Sequence, residues 1–358
     1  MASPTSHSGE WPAGAAQARL HFVSGKGGTG KSTVAAALAL ALAAGGRKVL
    51  LVETEGRQGI AQLFDVPPLP PVETKIATAP GGGEVSALAI DIEAAFLEYL
   101  DMFYNLGFAG RAMRRMGAIE FVTTLAPGLR DVILTGKIKE TVVRTDASGA
   151  PVYDAVVVDS PPTGRIGSFL DVTKAMADLA KSGPIRSQSE GVVRLLHSDQ
   201  TVVHLVTLLE ALPVQETADA VEELEAADLR MGTVIVNRTA PEHLPEELVD
   251  DVAAGRIAGP AIRTTLEKVS IKLSDDDFAG LLTETIEHAA VLQAQQVSAA
   301  QLDEVKVARM SLPASPTVSI SVASTNSPTS SPSRVSDERT DPEGPRRRPH
   351  PGRPLVQG

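Results

Sequence analysis

Short runs of consecutive apolar residues recur along the chain, and longer segments of helical character separate them. Such uninterrupted runs are typical of strands that are buried on both faces of a parallel sheet. Their alternation with helices predicts an α/β fold, with a mostly parallel sheet flanked by helices. The predicted strands cover 20–23, 49–52, 75–79, 85–90, 155–158, 201–208 and 232–237. The predicted helices cover 34–44, 167–179, 217–229 and 276–305, and a polar connector covers 181–190.

A helical insertion is predicted at about 91–145, where the composition changes. Six of the chain's twelve aromatic residues lie between positions 96 and 121, interspersed with methionines. Ile92, Phe96, Tyr99 and Phe103 recur at helical spacing, but further apolar residues widen this surface beyond one stripe. One interpretation is a helical hairpin that packs its own core. The alternative is a partly exposed apolar surface that receives a protein client, because methionine and aromatic side chains suit adaptable interfaces.

The turn between the first strand and the first helix carries a phosphate-binding pattern. Residues 25–32 match G-x-x-x-x-G-K-[ST] in the strand–loop–helix context that this pattern requires. Glycines allow successive backbone N–H groups to face a polyphosphate, and the helix directs its positive end at the same point. Lys31 adds a full charge at the β- and γ-phosphates, and the Ser32 hydroxyl is a ligand suited to Mg²⁺.

Polar side chains follow three other predicted strands. Residues 53–59 include Glu53 and Glu55 at the carboxyl end of a strand, where ligands bind in open α/β sheets. These carboxylates either orient water or Mg²⁺ or belong to a solvated loop. Asp159 ends a buried apolar run and is positioned to hold the water shell of Mg²⁺. Asn237 ends another strand, where it either pairs with a purine edge or forms a turn.

Length and composition indicate one large domain. The 358 residues are 43% hydrophobic, which favours an α/β domain at 19–312 that contains the insertion. Residues 1–18 are small and polar, do not resemble a signal peptide, and are predicted to be disordered. The Ser-, Pro- and Arg-rich tail 313–358 is also predicted to be disordered. The longest apolar segment, 34–44, is too short for a transmembrane helix.

Charge and cysteine content exclude several classes of function. The net charge is -11 and the sequence pI is about 5.2, which argues against nucleic acid as a partner. The sequence contains no cysteine, so disulfides, thiolate metal sites and cysteine nucleophiles are excluded. A cytoplasmic location fits this composition.

Several motifs together resemble those of the ArsA-like ATPases. Residues 25–32 resemble the deviant Walker A loop, whose mark is a signature lysine, here Lys26. Residues 159–165 are similar to the family's switch II, of the type D-x-x-P-T-G-H. Residues 215–217 and 234–238 resemble its E-T helix and V-V-N-Q strand. The family includes the arsenite-pump ATPase and the guided-entry ATPase for tail-anchored proteins, and the chain resembles in particular actinobacterial members called anion-transporter ATPases.

The resemblance implies a P-loop NTPase fold of the SIMIBI type and a dimer, either a homodimer or a heterodimer with a sister ATPase. It implies that Lys26 reaches the phosphates bound by the other subunit and that Asn237 recognises adenine. Segment 91–145 would correspond to the family's helical subdomain, which collects a client, and a membrane-protein client would bring the protein to a membrane through that partner. ATP and Mg²⁺ are the implied cofactors.

Three departures from the family pattern bear on function. Thr54-Glu55-Gly56 replaces the family's switch I run with its Asp, and the extra methylene of Glu55 is expected to slow hydrolysis. The cysteines that bind metalloid in the arsenite pump are absent, and so is the CxxC zinc site of the fungal and animal targeting ATPase. Arsenite transport is therefore not expected.

The leading hypothesis is a Mg²⁺-dependent ATPase whose nucleotide-driven dimer moves the helical subdomain. One alternative is a nucleotide-gated binding module or chaperone with very low hydrolysis, and another is a ParA- or MinD-like positioning ATPase. The candidate catalytic residues are Lys26, Lys31, Glu55 and Asp159. The candidate magnesium ligands are Ser32 and Asp159, and the candidate nucleotide contacts are Gly25, Lys26, Gly27, Gly28, Thr29, Gly30, Lys31, Ser32, Thr33 and Asn237.

Overall fold

A computed structural model describes residues 15–104, 127–171 and 184–314. A short 3-10 helix, Ala15–Gln17, precedes the first strand. The strands are β1 Leu20–Gly25, β2 Lys48–Glu53, β3 Thr74–Ala79, β4 Gly83–Ala89, β5 Ala155–Asp159, β6 Thr201–Thr207, β7 Met231–Thr239 and β8 Arg309–Pro313. The helices are α1 Lys31–Ala43, α2 Gly59–Leu63, α3 Ile92–Tyr104, α4 Pro127–Val143, α5 Thr163–Leu170, α6 Pro184–Leu196, α7 Ala211–Ala226, α8 Glu246–Ala253, α9 Gly259–Lys268 and α10 Asp275–Leu302.

The strands of the described residues form one eight-stranded sheet in the order β3-β4-β2-β5-β1-β6-β7-β8. Neighbouring strands run parallel except for β3, which is antiparallel to β4. The predicted α/β class with a mostly parallel sheet is therefore confirmed. Because β2, β5 and β1 are adjacent, the loops that follow their carboxyl ends meet at one edge of the sheet.

Both faces of the central strands are buried, which explains their uninterrupted apolar sequences. In β5, Val156 and Val158 pack into the core beneath α4 and α5, whereas Ala155 and Val157 pack into the core beneath α1. Apolar side chains from both faces surround the sheet, so the ends of the strands are held rigidly. This rigidity positions the loops that carry the candidate site.

The described part of the insertion packs inward. In α3, Ala95 and Phe96 are buried, and they join one core with the buried Ile133 and Ile138 of α4. Lys137 Nζ donates a 2.7 Å hydrogen bond to Glu98 Oε2 across the two helices. The described part of these helices therefore packs against the central sheet, and the choice between the two interpretations of the insertion stays a prediction. Residues 105–126, which hold the rest of the aromatic segment, lie outside the described residues.

The structure differs from the sequence-based expectations at several elements, and helix α2 was not predicted. Helix α6 begins at Pro184, so the prediction of a polar connector through 190 was wrong. Helices α5 and α7 begin at Thr163 and Ala211, several residues before their predicted starts. Strand β8 was not predicted. The predicted disordered segments fall mainly on residues 1–14 and 315–358, which lie outside the described residues, so the domain boundaries stay predictions.

Candidate functional site

The glycine-rich loop (residues 25–30) joins the end of β1 to the first residue of α1. Gly25 ends β1, residues 26–30 form the turn, and Lys31, Ser32 and Thr33 begin the helix. Gly28 and Gly30 have φ angles of 91° and 90°, a left-handed conformation that favours glycine. A side chain at Gly25 would collide with the backbone carbonyl of Val206. The loop therefore has the backbone geometry of a phosphate cradle at a helix N-terminus.

Lys31, Glu55 and Asp159 form a charged cluster beside this loop. Lys31 Nζ lies 3.3 Å from Glu55 Oε2 and 3.4 Å from Asp159 Oδ1. The three side chains are largely buried, with 12%, 19% and 7% of their areas exposed. The structure thus brings together three of the candidate catalytic residues, which come from α1, from the loop after β2 and from the end of β5. Hydrogen bonds from Ser24 Oγ to Pro161 O and from Thr54 Oγ1 to Asp159 O join the loops that hold them.

The two candidate magnesium ligands are in direct contact. Ser32 Oγ donates a 2.5 Å hydrogen bond to Asp159 Oδ2. Asp159 Oδ1 is buried and has no hydrogen-bond partner among the described residues. Burial raises the pKa of Asp159, whereas the charge of Lys31 and the bond from Ser32 lower it. A buried carboxylate oxygen with spare capacity beside a hydroxyl oxygen fits Mg²⁺, which prefers hard oxygen ligands.

Glu53 and Glu55 have different roles, which the sequence could not distinguish. Glu53 is 2% exposed, and its two carboxylate oxygens accept hydrogen bonds from the backbone N–H groups of Gln58 and Ile60. Its negative charge also lies at the N-terminus of α2, where it is favourable. Glu53 therefore holds the loop after β2 in place. Glu55 is the carboxylate of this loop that faces Lys31.

Lys26 is bound within its own chain. Its Nζ donates a 2.7 Å hydrogen bond to Glu216 Oε1 on α7, and the two side chains are 27% and 35% exposed. Glu216 Oε2 accepts a 3.4 Å hydrogen bond from Thr163 Oγ1 at the start of α5. Glu216 therefore connects the glycine-rich loop with the segment 159–165. Glu216 belongs to the E-T motif, but its position in the sequence indicates no role for it.

Asn237 lies against the glycine-rich loop. Its Nδ2 donates a 2.8 Å hydrogen bond to the carbonyl oxygen of Thr29, and its Oδ1 accepts a 3.0 Å bond from the backbone N–H of Arg238. A Cβ atom at Gly30 would lie 2.5 Å from Asn237 Nδ2. In this structure the side-chain amide of Asn237 thus supports the loop. Its recognition of adenine stays a prediction.

Residues 15–104, 127–171 and 184–314 contain no cluster of three or more His, Cys, Asp or Glu side chains that could hold a metal ion. In the same ranges, no helix is both long and apolar enough to cross a membrane.

Comparison with known proteins agrees with this geometry. A family model described as anion-transporting ATPase matches residues 18–198. The chain is 66% identical over 316 residues to the ATPase BagA of Mycobacterium tuberculosis, which covers 87% of the chain and 93% of that protein. It is 26% identical to an arsenical pump-driving ATPase of Escherichia coli, covering 74% of the chain and 45% of that protein. It is 24% identical to the ATPase GET3 of Kluyveromyces lactis, covering 62% of the chain and 72% of that protein.

Proposed function

The chain belongs to the family of anion-transporting ATPases and hydrolyses ATP, and from this premise we propose that it is a Mg²⁺-dependent ATPase that acts as a nucleotide-driven dimer. The observation that carries the proposal is the buried contact of Lys31 with Glu55 and Asp159 beside the glycine-rich loop. In the proposal, this dimer couples ATP binding and hydrolysis to a client held by the helical insertion.

The nucleotide phosphates are proposed to bind at the start of α1. The backbone N–H groups of residues 26–33 and the Lys31 ammonium group would replace the water around the β- and γ-phosphates. Ser32 Oγ would then bind Mg²⁺ directly, and Asp159 would accept hydrogen bonds from its water ligands. The bound ion would neutralise charge on the phosphate oxygens. The side-chain amide of Asn237 donates a hydrogen bond to the carbonyl oxygen of Thr29, so a movement of the glycine-rich loop on nucleotide binding would also move Asn237.

Glu55 is proposed to orient the attacking water. Its carboxylate faces Lys31 at 3.3 Å, so it lies at the γ-phosphate end of the loop. A carboxylate there can accept a hydrogen bond from water and direct its oxygen at phosphorus. Hydrolysis forms a bond between this oxygen and phosphorus, breaks the bond to the leaving oxygen of ADP, and releases inorganic phosphate.

Lys26 is proposed to act at the phosphates of the other subunit. Its contact with Glu216 is compatible with this role, because the lysine is held by a partly exposed ion pair and not by a buried one. Exposed ion pairs are weak, at about 0.2–1 kcal/mol, so a bound polyphosphate can compete for the lysine. The positive charge would then stabilise the transition state in the way that an arginine finger does.

The helical insertion is proposed to sense the nucleotide through α4. Asp131 of α4 lies 3.7 Å from Arg165, which belongs to the loop and helix after Asp159. A shift of segment 159–165 on phosphate binding would therefore displace α4 through the contact between Arg165 and Asp131. We propose that this shift alters the client surface of the insertion.

The alternative function, a nucleotide-gated binding module with very low hydrolysis, is favoured by one observation. The Glu55 carboxylate is already held by Lys31 at 3.3 Å and approached by Arg57 Nε at 3.8 Å, so it is less available to water. The family assignment favours either of these functions over a positioning ATPase.

Steady-state release of inorganic phosphate from ATP tests the proposal. Lys31→Ala and Asp159→Ala should each lower turnover by at least about 100-fold, because each removes charge stabilisation from the reacting phosphate. The exposed Lys272 provides a control, since Lys272→Ala removes the same charge far from the cluster and should leave turnover unchanged. Normal hydrolysis by the Lys31→Ala variant would contradict the proposal.

Two variants of Glu55 distinguish the proposed ATPase function from the alternative of a binding module with very low hydrolysis. Glu55→Gln removes the charge but keeps the shape, and it should lower turnover by about 100-fold while MgATP binding is retained. Glu55→Asp keeps the carboxylate and should retain turnover within about tenfold of the parent chain. If Glu55→Gln and the parent chain release phosphate at the same low rate, Glu55 does not orient water, and the binding-module alternative is favoured.

A further inference from the structure

A cavity of about 210 Å³ lies beside Glu55. Three segments line it: the loop after β2, the first turns of α4, and the segment after β5. Residues 25–33 do not line it, so it is adjacent to the candidate nucleotide site but separate from it. A water molecule occupies about 30 Å³ in the liquid, so the cavity has room for a small hydrated ion.

The charged residues around this cavity are mainly basic. Arg57, Arg130 and Arg165 line it, against the two carboxylates of Glu55 and Asp131. The Glu55 carboxylate is shared with Lys31 at 3.3 Å, and that lysine lies outside the cavity wall. Three arginines of the lining therefore face two carboxylates, and Lys31 offsets part of the charge of Glu55. Arginine is the side chain best suited to bind phosphate oxygens, because its planar fork donates two parallel hydrogen bonds.

The arginines are not held tightly by the carboxylates. Arg165 lies 3.7 Å from Asp131 Oδ1, and Arg57 lies 3.8 Å from Glu55 Oε2, both beyond hydrogen-bond distance. Their side chains are 55% and 77% exposed, so each can turn toward a ligand. Asp131 Oδ1 is buried without a hydrogen-bond partner among the described residues. Burial raises the pKa of Asp131, whereas the charges of Arg165 and Arg130 lower it.

The position of the cavity suggests which anion binds there. Glu55 forms a wall common to the cavity and the charged cluster around Lys31, so an ion that leaves the γ-phosphate position past Glu55 enters the cavity. Arg130 lies in the first turn of α4, where the helix end favours negative charge. The segment after β5 that lines it is also the one proposed to shift when phosphate binds.

We propose that this cavity is a binding site for a tetrahedral oxyanion and that its ligand is the inorganic phosphate released by ATP hydrolysis. Phosphate would be held by Arg57, Arg130 and Arg165 after it leaves the γ-phosphate position and before it reaches solvent. The proposal rests on the proposed function, because it takes its ligand from the reaction at the glycine-rich loop. Phosphate binding itself is measurable without ATP.

Calorimetric titration of the nucleotide-free full chain with inorganic phosphate tests this, with chloride added to keep the ionic strength constant. Lys31→Ala removes the principal cation of the glycine-rich loop, so phosphate that binds this variant reports on the cavity. We expect Lys31→Ala to bind phosphate, and Arg130→Gln in the same background to weaken binding by about tenfold, since a charge-assisted hydrogen bond is lost. Arg256→Gln removes an exposed arginine that is paired with Asp251 elsewhere, and it should leave binding unchanged.

Asp131→Asn provides a second test, in which the phosphate affinity should rise and not fall. This variant removes a negative charge from the cavity wall, so phosphate should bind at least about threefold more tightly. Circular dichroism checks that each variant is folded. The proposal would be overturned if Lys31→Ala did not bind phosphate. It would also be overturned if the parent chain, Arg130→Gln and Asp131→Asn bound phosphate with equal affinity. If ATP turnover fails while Lys31→Ala still binds phosphate through Arg130, the proposed catalytic roles fail and the oxyanion site stands.

Discussion

Lys26 and Glu216 form an ion pair that bears directly on the proposed role of Lys26. The contact joins the glycine-rich loop to α7, and Glu216 also binds Thr163 of the segment after Asp159. A lysine that must act on the phosphates of a second subunit has to leave this carboxylate first. The ion pair therefore stabilises the resting chain and opposes the dimeric state in our proposal.

We predict that removing the charge of Lys26 and removing the charge of Glu216 have different effects on ATP turnover. Lys26→Ala should bind MgATP within about threefold of the parent chain but lower turnover by about 100-fold, because the cation acts in the transition state. Glu216→Gln should keep or raise turnover by up to about fivefold, because an exposed ion pair no longer competes for Lys26. Parallel measurements of MgATP affinity and phosphate release decide this. Equal losses in both variants would show that Glu216 is needed for catalysis and does not merely hold the lysine.

Individual residues also show what the sequence could and could not predict. The glycine-rich loop was recognised because its pattern is local and its chemistry is explicit. Glu53 and Glu55 lie two positions apart and look equivalent in sequence. Only the turn into α2 shows that Glu53 binds the backbone of residues 58 and 60 while Glu55 faces Lys31.

Strands β1 and β6 share a buried pair of histidines. His21 Nε2 lies 3.0 Å from the carbonyl oxygen of Ala18 and so carries the proton, which leaves Nδ1 to accept a 3.2 Å hydrogen bond from His204 Nε2. The rings are stacked, with centroids 5.5 Å apart. Burial lowers the pKa of His21 to about 4 and that of His204 to about 3, so both are neutral near pH 7. The pair joins two adjacent strands of the central sheet without charge.

We predict that this pair makes the fold sensitive to acid. The unfolded chain binds protons on these histidines below about pH 6.5, whereas the folded chain does not bind them until about pH 4. The histidine contribution to the free energy of unfolding is therefore complete above about pH 6.5 and falls as the pH drops from about 6.5 toward about 4. The loss from about pH 7.5 to about pH 5.5 should be about 1.4 kcal/mol for each histidine.

Urea unfolding at both pH values measures this loss. In the double variant His21→Gln/His204→Gln the neutral amides do not titrate, while the carboxyl groups are unchanged, so the pH dependence should be shallower by the contribution of the two histidines. The same pH dependence in the parent and double variant would contradict the assignment of neutral, buried histidines.

Strand β8 and helix α6 show why some elements could not be predicted from sequence. Strand β8 is a short, largely exposed edge strand that forms through pairing with β7, and no local apolar run marks it. Helix α6 begins with Pro184 and polar residues, and its buried Val192, Leu195 and Leu196 follow only later. In both elements, contacts distant in sequence decide the conformation.

At the scale of the whole molecule, strand order creates the site. The order β2-β5-β1 places three loops, distant in sequence, at one edge of the sheet, where Glu55, Asp159 and the glycine-rich loop meet. Apolar runs predicted that these strands exist, but they carry no information about which strands are neighbours. The resemblance to ArsA-like ATPases supplied the P-loop fold as an expectation, which the mostly parallel sheet confirms, but not the strand order.

Dimer formation is predicted to depend on nucleotide. The net charge of -11 opposes self-association, and the sequence has no cysteine for a bridging zinc site. Contacts through bound nucleotide and Lys26 would therefore have to supply the attraction. Analytical ultracentrifugation should show a monomer without nucleotide and a dimer with Mg²⁺ and a non-hydrolysable ATP analogue. Lys26→Ala should weaken this dimer, and a mass independent of nucleotide would contradict the prediction.

The central claim is that the glycine-rich loop, Lys31, Ser32 and Asp159 together bind MgATP. Calorimetric titration of the folded chain with a non-hydrolysable ATP analogue, with and without Mg²⁺, tests it most directly. We predict one site per chain, with an affinity that falls at least about tenfold when Mg²⁺ is withheld or when Ser32 is changed to alanine, and with little binding by Lys31→Ala. Binding that is absent in the folded parent chain, or that is unchanged in Lys31→Ala, would contradict the account.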